Sequence, residues 1–453
     1  MHLDKFFNAQ STAIIGVSRD PNKVGHVILR NFLDGGYNGK IFVVNPNAES
    51  IEGYHSYKSV LDIQDEVELA IVAVPAGFVP KVLEECSKKK IKHIIIDSAG
   101  FKEVGNEVLE KRLEDVIKKH KLRIIGPNAL GVFDAYSKID SLFLPRYRMS
   151  RPNEGSISFV CQSGAIGSSV VDLATAQGYG FARFISYGNA VDVDESDLIE
   201  YLGNDSKTKV ICLYIEGVKN GKKFLEVCSK VSKKKPIIAI KGGVTEAGAK
   251  ATLSHTGALA GSADVYFGIF KQANIIRAET LEDMFEYAKI LEKSIKPKGG
   301  RVQIITNGGG YGILATDSAA KDGVKLAEFS KDIAKELRKK LPSIINISNP
   351  LDIVGDATTE RYSMCLDACM KDKNIDALLV IVLVQTPLIA TDIVDLLVKT
   401  NNLKKKPMVV VSAGGEYTET MRAKLEENGI PTYTYPEDGI QALSQLTRYY
   451  RNK

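Results

Sequence analysis

The feature that most constrains this chain is a repeat inside it. Ser156-Ile157-Ser158-Phe159-Val160-Cys161 runs directly into Gln162-Ser163-Gly164, and Arg301-Val302-Gln303-Ile304-Ile305-Thr306 runs in the same way into Asn307-Gly308-Gly309. The parallel continues, with Val210–Ile215 matching Leu378–Leu383 and Lys235–Gly243 matching Lys406–Gly415. Each copy alternates short apolar runs with amphipathic helical stretches, the pattern of a parallel sheet covered by helices. Internal self-similarity of this kind implies two sister α/β domains.

A different α/β stretch precedes them. Apolar runs at Thr12–Ile15, Ile41–Val44, Leu69–Val74, His93–Ile96 and Arg123–Ile125 alternate with helical segments and read as one doubly wound domain. Ala135 to Glu154, with Pro145, Pro152, Arg146, Arg148 and Arg151, reads as a looser connector. The expected domains are residues 1–136, 137–296 and 297–453, and a chain of 453 residues, 44% hydrophobic, has room for three cores. No apolar run reaches membrane-spanning length and Met1-His2-Leu3-Asp4-Lys5 carries no signal-peptide pattern, so the cytoplasm is the expected location. A net charge of +5, from 60 basic and 55 acidic residues, is too balanced to announce a nucleic-acid surface. Lysine runs at 88–90, 233–235 and 404–406 fit solvated helix C-termini. The six cysteines have neither metal-ligand nor disulfide spacing and read as buried thiols.

In both repeats a strand ends in a small-residue turn and a helix begins at once: Ser163-Gly164-Ala165 in one, Asn307-Gly308-Gly309-Gly310 in the other. Free amides and the positive end of a helix dipole make such a turn an anion site. For either turn alone, a second reading stands beside it, in which glycine only relieves a tight corner. Ser163 lacks the G-x-S-x-G context of an acyl nucleophile and reads as a helix N-cap or phosphate donor. Glu216 follows a strand, at the sheet edge where such folds bind ligands.

One segment breaks the repeat. After the paired glycines the first copy spends positions 244 to 272 before Ala273-Asn274-Ile275, while the second spends only 416 to 427 before Asn428-Gly429-Ile430. The added residues include Ser254-His255-Thr256-Gly257-Ala258-Leu259-Ala260-Gly261. A segment added to a complete scaffold is more often functional than structural. A neutral imidazole is a good nucleophile near pH 7, and Glu216 could orient the His255 ring through one nitrogen while the other attacks phosphorus. The competing readings are an idle histidine in a glycine-rich loop and a solvent-exposed edge glutamate.

The first domain opens with Gly16, Ser18 and Arg19 after a strand, followed by Lys23. This is a nucleotide-binding turn without the G-x-G-x-x-G of dinucleotide enzymes. Asn45 stands where an NAD site places its acidic ribose ligand, which counts against NAD. Arg19 and Lys23 suit the phosphates of an adenine nucleotide such as coenzyme A, with Pro75, Ser98, Ala99 and Asn128 at strand ends lining the same crevice.

Over essentially its whole length the chain resembles the α subunits of ADP-forming acetyl-CoA synthetases, within the succinyl-CoA synthetase superfamily. Ser254–Gly261 is similar to the family's phosphohistidine segment, Gln162-Ser163-Gly164 to its phosphate-binding helix start, Tyr214-Ile215-Glu216-Gly217 to its supporting glutamate, and Asn307–Gly310 to its third-domain glycine turn. The resemblance implies a Rossmann-like CoA-binding domain followed by two flavodoxin-like domains. It implies the reaction of acetyl-CoA, ADP and phosphate to acetate, ATP and CoA through acetyl phosphate and phosphohistidine, with Mg²⁺ arriving with the nucleotide. It also implies an ATP-grasp β subunit in an α2β2 heterotetramer, since no such region follows in this sequence. Succinyl, branched or aromatic acyl groups, a dinucleotide oxidoreductase and a non-catalytic CoA-binding scaffold are the alternatives.

Overall fold

Three sheets carry the chain. The computed structural model describes residues 3–250 and 262–453, which form two compact units, 1–284 and 285–453. The first sheet contains β1 (Ser11–Ile15), β2 (Lys40–Val44), β3 (Ser50–Ile51), β4 (Tyr54–Tyr57), β5 (Leu69–Val72), β6 (His93–Ile96) and β7 (Arg123–Ile125). Their order is β3-β4-β2-β1-β5-β6-β7, parallel except for the β3–β4 pair. Successive residues point to opposite faces, so Ile14, Ile71, Ile95 and Ile125 face one core while Ile15, Val72, Ile94 and Ile124 face another. Each such buried aliphatic side chain contributes roughly 1.5–3 kcal/mol.

The second sheet, in the same unit, contains β8 (Gly131–Asp134), β9 (Glu154–Cys161), β10 (Phe181–Ser186), β11 (Val210–Ile215), β12 (Ile237–Lys241) and β13 (Ile276–Arg277). The order is β13-β12-β11-β9-β10-β8, with β8 antiparallel to β10. Although β8 precedes residue 136, it is a strand of this second sheet. The stretch after it is not loose: Asp140 is fully buried and ion-paired to Arg146 at 2.6 Å and to Arg151 at 2.9 Å. Two guanidinium groups on one buried carboxylate lock the connector in one conformation.

The second unit holds β14 (Arg301–Thr306), β15 (Lys325–Leu326), β16 (Leu351–Asp352), β17 (Ala377–Ile381), β18 (Met408–Val411) and β19 (Thr432–Tyr433), all parallel, in the order β15-β14-β17-β18-β19 with β16 also on β14. The repeat is visible strand by strand, including a 13-residue helix after each central strand, Gly164–Ala176 and Gly309–Lys321. Register corrects one detail of the sequence match. Tyr214 lies opposite Cys161, and Ile381 lies opposite the equivalent Thr306, so Glu216 corresponds to Leu383, one residue earlier than matching the apolar runs implies. Lys235 and Lys406, the last lysines of their runs, are not simply solvated. Each turns its amine onto two main-chain carbonyls, of Leu202 and Asp205 or of Cys369 and Asp372, at the end of a preceding helix.

All six cysteines are buried, and none is in a disulfide among the described residues. Among the described residues no helix is long and apolar enough to cross a membrane.

Candidate active site

In the second sheet β9 is flanked by β10 on one side and β11 on the other, so the strand order reverses there, and the crevice beyond its carboxyl end is where α/β sheets bind ligands. Ser163 caps the helix that follows, its Oγ accepting the Ile166 N–H at 3.4 Å. Gly164 and Ala165 open the helix, so their amides have no carbonyl one turn earlier to donate to, and both residues line the crevice at the positive end of the helix dipole. Gly167 lets this helix approach the sheet, because a Cβ there would come within 2.6 Å of Phe184 Cζ.

Glu216 is held at the same edge by a side chain that sequence reasoning left off the site. Gln162 Oε1 accepts the N–H groups of both Glu216 (2.7 Å) and Gly217 (3.1 Å), which fixes the glutamate loop to the start of the phosphate turn. The equivalent Asn307 Oδ1 accepts the Leu383 N–H at 2.8 Å, so this bridge recurs in the sister sheet. Tyr214 donates from its hydroxyl to Glu216 Oε1 at 3.4 Å, and Tyr266 accepts the Val218 N–H at 3.0 Å. Lys241, at the end of β12, is 6% exposed, and burial lowers its pKa against the opposing pull of Glu216.

Ser163, Gly164, Ala165 and Glu216 line one cavity of about 810 Å³, together with Ala99 and Asn128 from the first sheet. Its apolar wall includes Leu130, Phe143 and Leu144. Ser98 supports this wall by donating its hydroxyl to Val74 O at 2.5 Å. Asn189, also in the wall, ties the two sheets of the unit together: Nδ2 donates to Glu103 Oε2 (2.6 Å) and Glu110 Oε2 (3.0 Å), while Lys219 Nζ donates to the Asn189 carbonyl at 2.9 Å. Asn189 stands in a small-residue turn just after β10, the same signal that marked the other strand ends. Asp97 is unusual, since neither of its buried carboxyl oxygens has a hydrogen-bond partner among the described residues, and burial pushes its pKa well up.

The remaining first-domain candidates sit at the other switch point, between β1 and β5. Gly16 has φ +96° and a Cβ on it would come within 2.4 Å of Ala73 O, so only glycine permits that approach. Ser18 Oγ accepts the Asp20 N–H at 3.0 Å, and its carbonyl is 2.8 Å from His26 Nδ1. Arg19 and Lys23 are exposed and make no ion pair among the described residues. Asn45 braces the loop by donating to Val17 O at 2.6 Å, and Pro75 is exposed at the end of β5. None of these six lines the larger cavity. A second cavity of about 400 Å³, beside Pro21 and Asn22, has Phe143, Leu144 and Ser168 in common with the lining of the larger one, so the two cavities are neighbours.

Asn307, Gly308, Gly309 and Gly310 lie in the second unit, at the carboxyl end of β14. Here the helix start already faces a carboxylate, since a Cβ on Gly309 would come within 2.7 Å of Asp352 Oδ2. His255 lies outside the described residues.

Comparison with known proteins follows the same division. The family model described as a CoA binding domain matches residues 10–135, the succinyl-CoA ligase like flavodoxin domain matches 154–291, and the Ligase-CoA domain matches 302–452. Acetate–CoA ligase (ADP-forming) of Methanocaldococcus jannaschii is 43% identical over 97% of this chain, which spans 62% of that protein. Subunit alpha of acetate–CoA ligase (ADP-forming) II of Pyrococcus furiosus is 40% identical over 99% of this chain and 98% of its own length. Acetyl-coenzyme A synthetase 1 of Ca. Korarchaeum cryptofilum, solved with phosphate and ADP, superposes with a TM-score of 0.94 at 35% identity, covering 99% of this chain and 97% of that one. The chain belongs to the family of ADP-forming acetate–CoA ligases and matches their α subunits from end to end.

Proposed function

We propose that this chain is the acyl-transfer and phosphoryl-carrier subunit of an ADP-forming acyl-CoA ligase, with acetyl-CoA as substrate. The observation that carries this reading is the single cavity in which the free amides of Gly164 and Ala165, the carboxylate of Glu216 and the strand ends of the first sheet face the same space. Inorganic phosphate sits on the Ser163–Ala165 turn, and one of its oxygens attacks the thioester carbonyl. The C–S bond breaks and CoA leaves as thiolate. A His255 ring nitrogen then takes the phosphoryl group, releasing acetate, while Glu216 orients the imidazole through its other nitrogen. Arg19 and Lys23, with Gly16 and Ser18, meet the CoA phosphates, and Asn45, Pro75, Ser98, Ala99 and Asn128 shape the path of the arm. Such chemistry depends on positioning and charge neutralisation more than on acid–base groups, which is what a site built from main-chain amides supplies.

In this reading residues 1–136 hold CoA, 137–296 carry the phosphohistidine, and 297–453 contribute the Asn307–Gly310 turn as a second anion site, where an incoming phosphate would have to displace the Asp352 carboxylate from the helix start. The nucleotide binds to an ATP-grasp β subunit in an α2β2 assembly, in the cytoplasm, and magnesium comes with it. Among the described residues no three imidazole, thiol or carboxylate groups lie close enough to hold a metal. The relatives named above are ligases, which sets the oxidoreductase alternative aside.

The test uses the purified chain with Mg²⁺, ADP, phosphate and a panel of acetyl-, succinyl-, branched and aromatic acyl-CoAs. ATP is expected with acetyl-CoA and only once the partner subunit is added. Sustained ATP synthesis by the chain alone, free of contaminating kinase, would overturn the divided-enzyme reading.

A further inference from the structure

Glu216 stands where four parallel strands end, and the groups that act on it differ in charge. Cys161 at the end of β9, Tyr187 just after β10 and Tyr214 on β11 are neutral, since burial pushes all three pKa values up. The remaining one is a cation. Lys241 ends β12 directly opposite Ile215, one residue before the glutamate, and Glu216 is the charged group that acts on it. Its amine donates to the neighbouring Gly242 carbonyl and lies 4.8 Å from the centre of the Tyr266 ring. Among the described residues it makes no ion pair. A buried ammonium without a salt bridge is costly to keep, so its retention calls for a reason other than packing.

The sister sheet supplies that reason by contrast. Register places Leu383 at the position of Glu216 and Ser412 at that of Lys241. Ser412 settles its hydroxyl on Val382 O at 2.6 Å. The same sheet therefore closes without either charge, and the two charges occur together only in the copy whose chain goes on from β12 into the segment with His255.

We propose that Lys241 is a positioning residue for phosphoryl transfer: its buried ammonium, on the neighbouring strand end, holds the Glu216 carboxylate in the place from which it orients the imidazole, an inference that rests on the function proposed above. Lys235 and Lys406, just ahead of β12 and β18, serve backbone carbonyls. Lys241 has one such carbonyl and a carboxylate neighbour.

The experiment follows Glu216 directly. The full chain is labelled with ¹³C at glutamate carboxyls, the Glu216 signal is identified by its loss in Glu216→Gln, and its chemical shift and line width at neutral pH are compared in the parent, Lys241→Gln, Lys241→Met and Lys241→Arg. Glutamine keeps a donor for Gly242, which guards against simple misfolding, and unfolding temperatures report any that occurs. Removing the charge should move and broaden the Glu216 signal, and arginine should restore it. Acetyl-CoA-dependent His255 phosphorylation should slow by about tenfold in the uncharged variants, and arginine should restore the rate. A signal and a rate unchanged in both Lys241→Gln and Lys241→Met would overturn the inference. If the signal moves while the parent forms no phosphohistidine, the coupling stands and the proposed function falls.

Discussion

Replacing Glu195 by glutamine should remove one defined part of the pH dependence of the first unit's stability. Glu195 opens the helix Glu195–Asn204, is 2% exposed and leaves Oε1 without a hydrogen-bond partner among the described residues. The helix N-terminus favours an anion there, and Lys223 and Lys219 pull the same way. Burial outweighs them and raises the carboxyl from 4.5 to about 7. Between those pH values the unfolded chain has lost a proton that the folded chain keeps, so stability falls as pH rises through the window and levels off above it. At about 1.36 kcal/mol per pH unit, the fall amounts to about 3 kcal/mol. Glu195→Gln has no such proton, so its advantage over the parent should grow by about that much from the acid to the alkaline side of the window. Urea unfolding followed by far-UV circular dichroism, with hydrogen exchange of this helix to isolate the first unit, reads the difference. A difference that stays flat across the window, or that grows in the parent's favour, refutes the reasoning.

Four further outcomes are expected. Glu216→Gln should bind acetyl-CoA nearly as the parent does, while losing on the order of tenfold to a thousandfold in the rate of His255 phosphorylation measured by quenched flow; an unchanged rate would leave Glu216 as a plain edge residue. Gly167→Ala should destabilise the first unit by about 1–3 kcal/mol in denaturant titration, because the new methyl meets the buried Phe184 ring at 2.6 Å. Gly164→Ala, whose Cβ would meet Leu130 at an ordinary 3.5 Å, should be nearly neutral. Replacing Arg19 and Lys23 together by alanine should weaken CoA binding in calorimetry by on the order of tenfold or more, and most at low salt, where charge on charge is least screened; an unchanged affinity would move the CoA phosphates elsewhere.

Much of the architecture was legible because parallel sheets write their strands as apolar runs with small residues at the carboxyl ends. Ile14, Val43, Ile71 and Ile95 announce the first sheet, and the repeated Gln162 and Asn307 positions announce the sister sheets. Contacts made across long sequence separations were not legible. Asp140 looked like part of a loose connector because its two arginine partners are ordinary loop residues until the chain folds them onto it. The assignment of β8 to the second sheet depends on antiparallel pairing, Arg183 opposite Asp134, which no periodicity within β8 records. At the site, the residue types at the turns were readable, as was the carboxylate of Glu216. The bridge from Gln162 to Glu216 and the burial of Lys241 were hidden, since an amide after a strand and a lysine before a glycine pair are unremarkable as letters.

The proposed function stands most directly on whether acyl-CoA phosphorylates His255. The full chain is incubated with acetyl-CoA and labelled inorganic phosphate, digested, and the label mapped. The account predicts an acid-labile, base-stable phosphate on His255 that requires acetyl-CoA, disappears in His255→Ala and is transferred to ADP only when the partner subunit is added. Label that persists in His255→Ala, or that never forms with any acyl-CoA while the chain binds CoA normally, would contradict it.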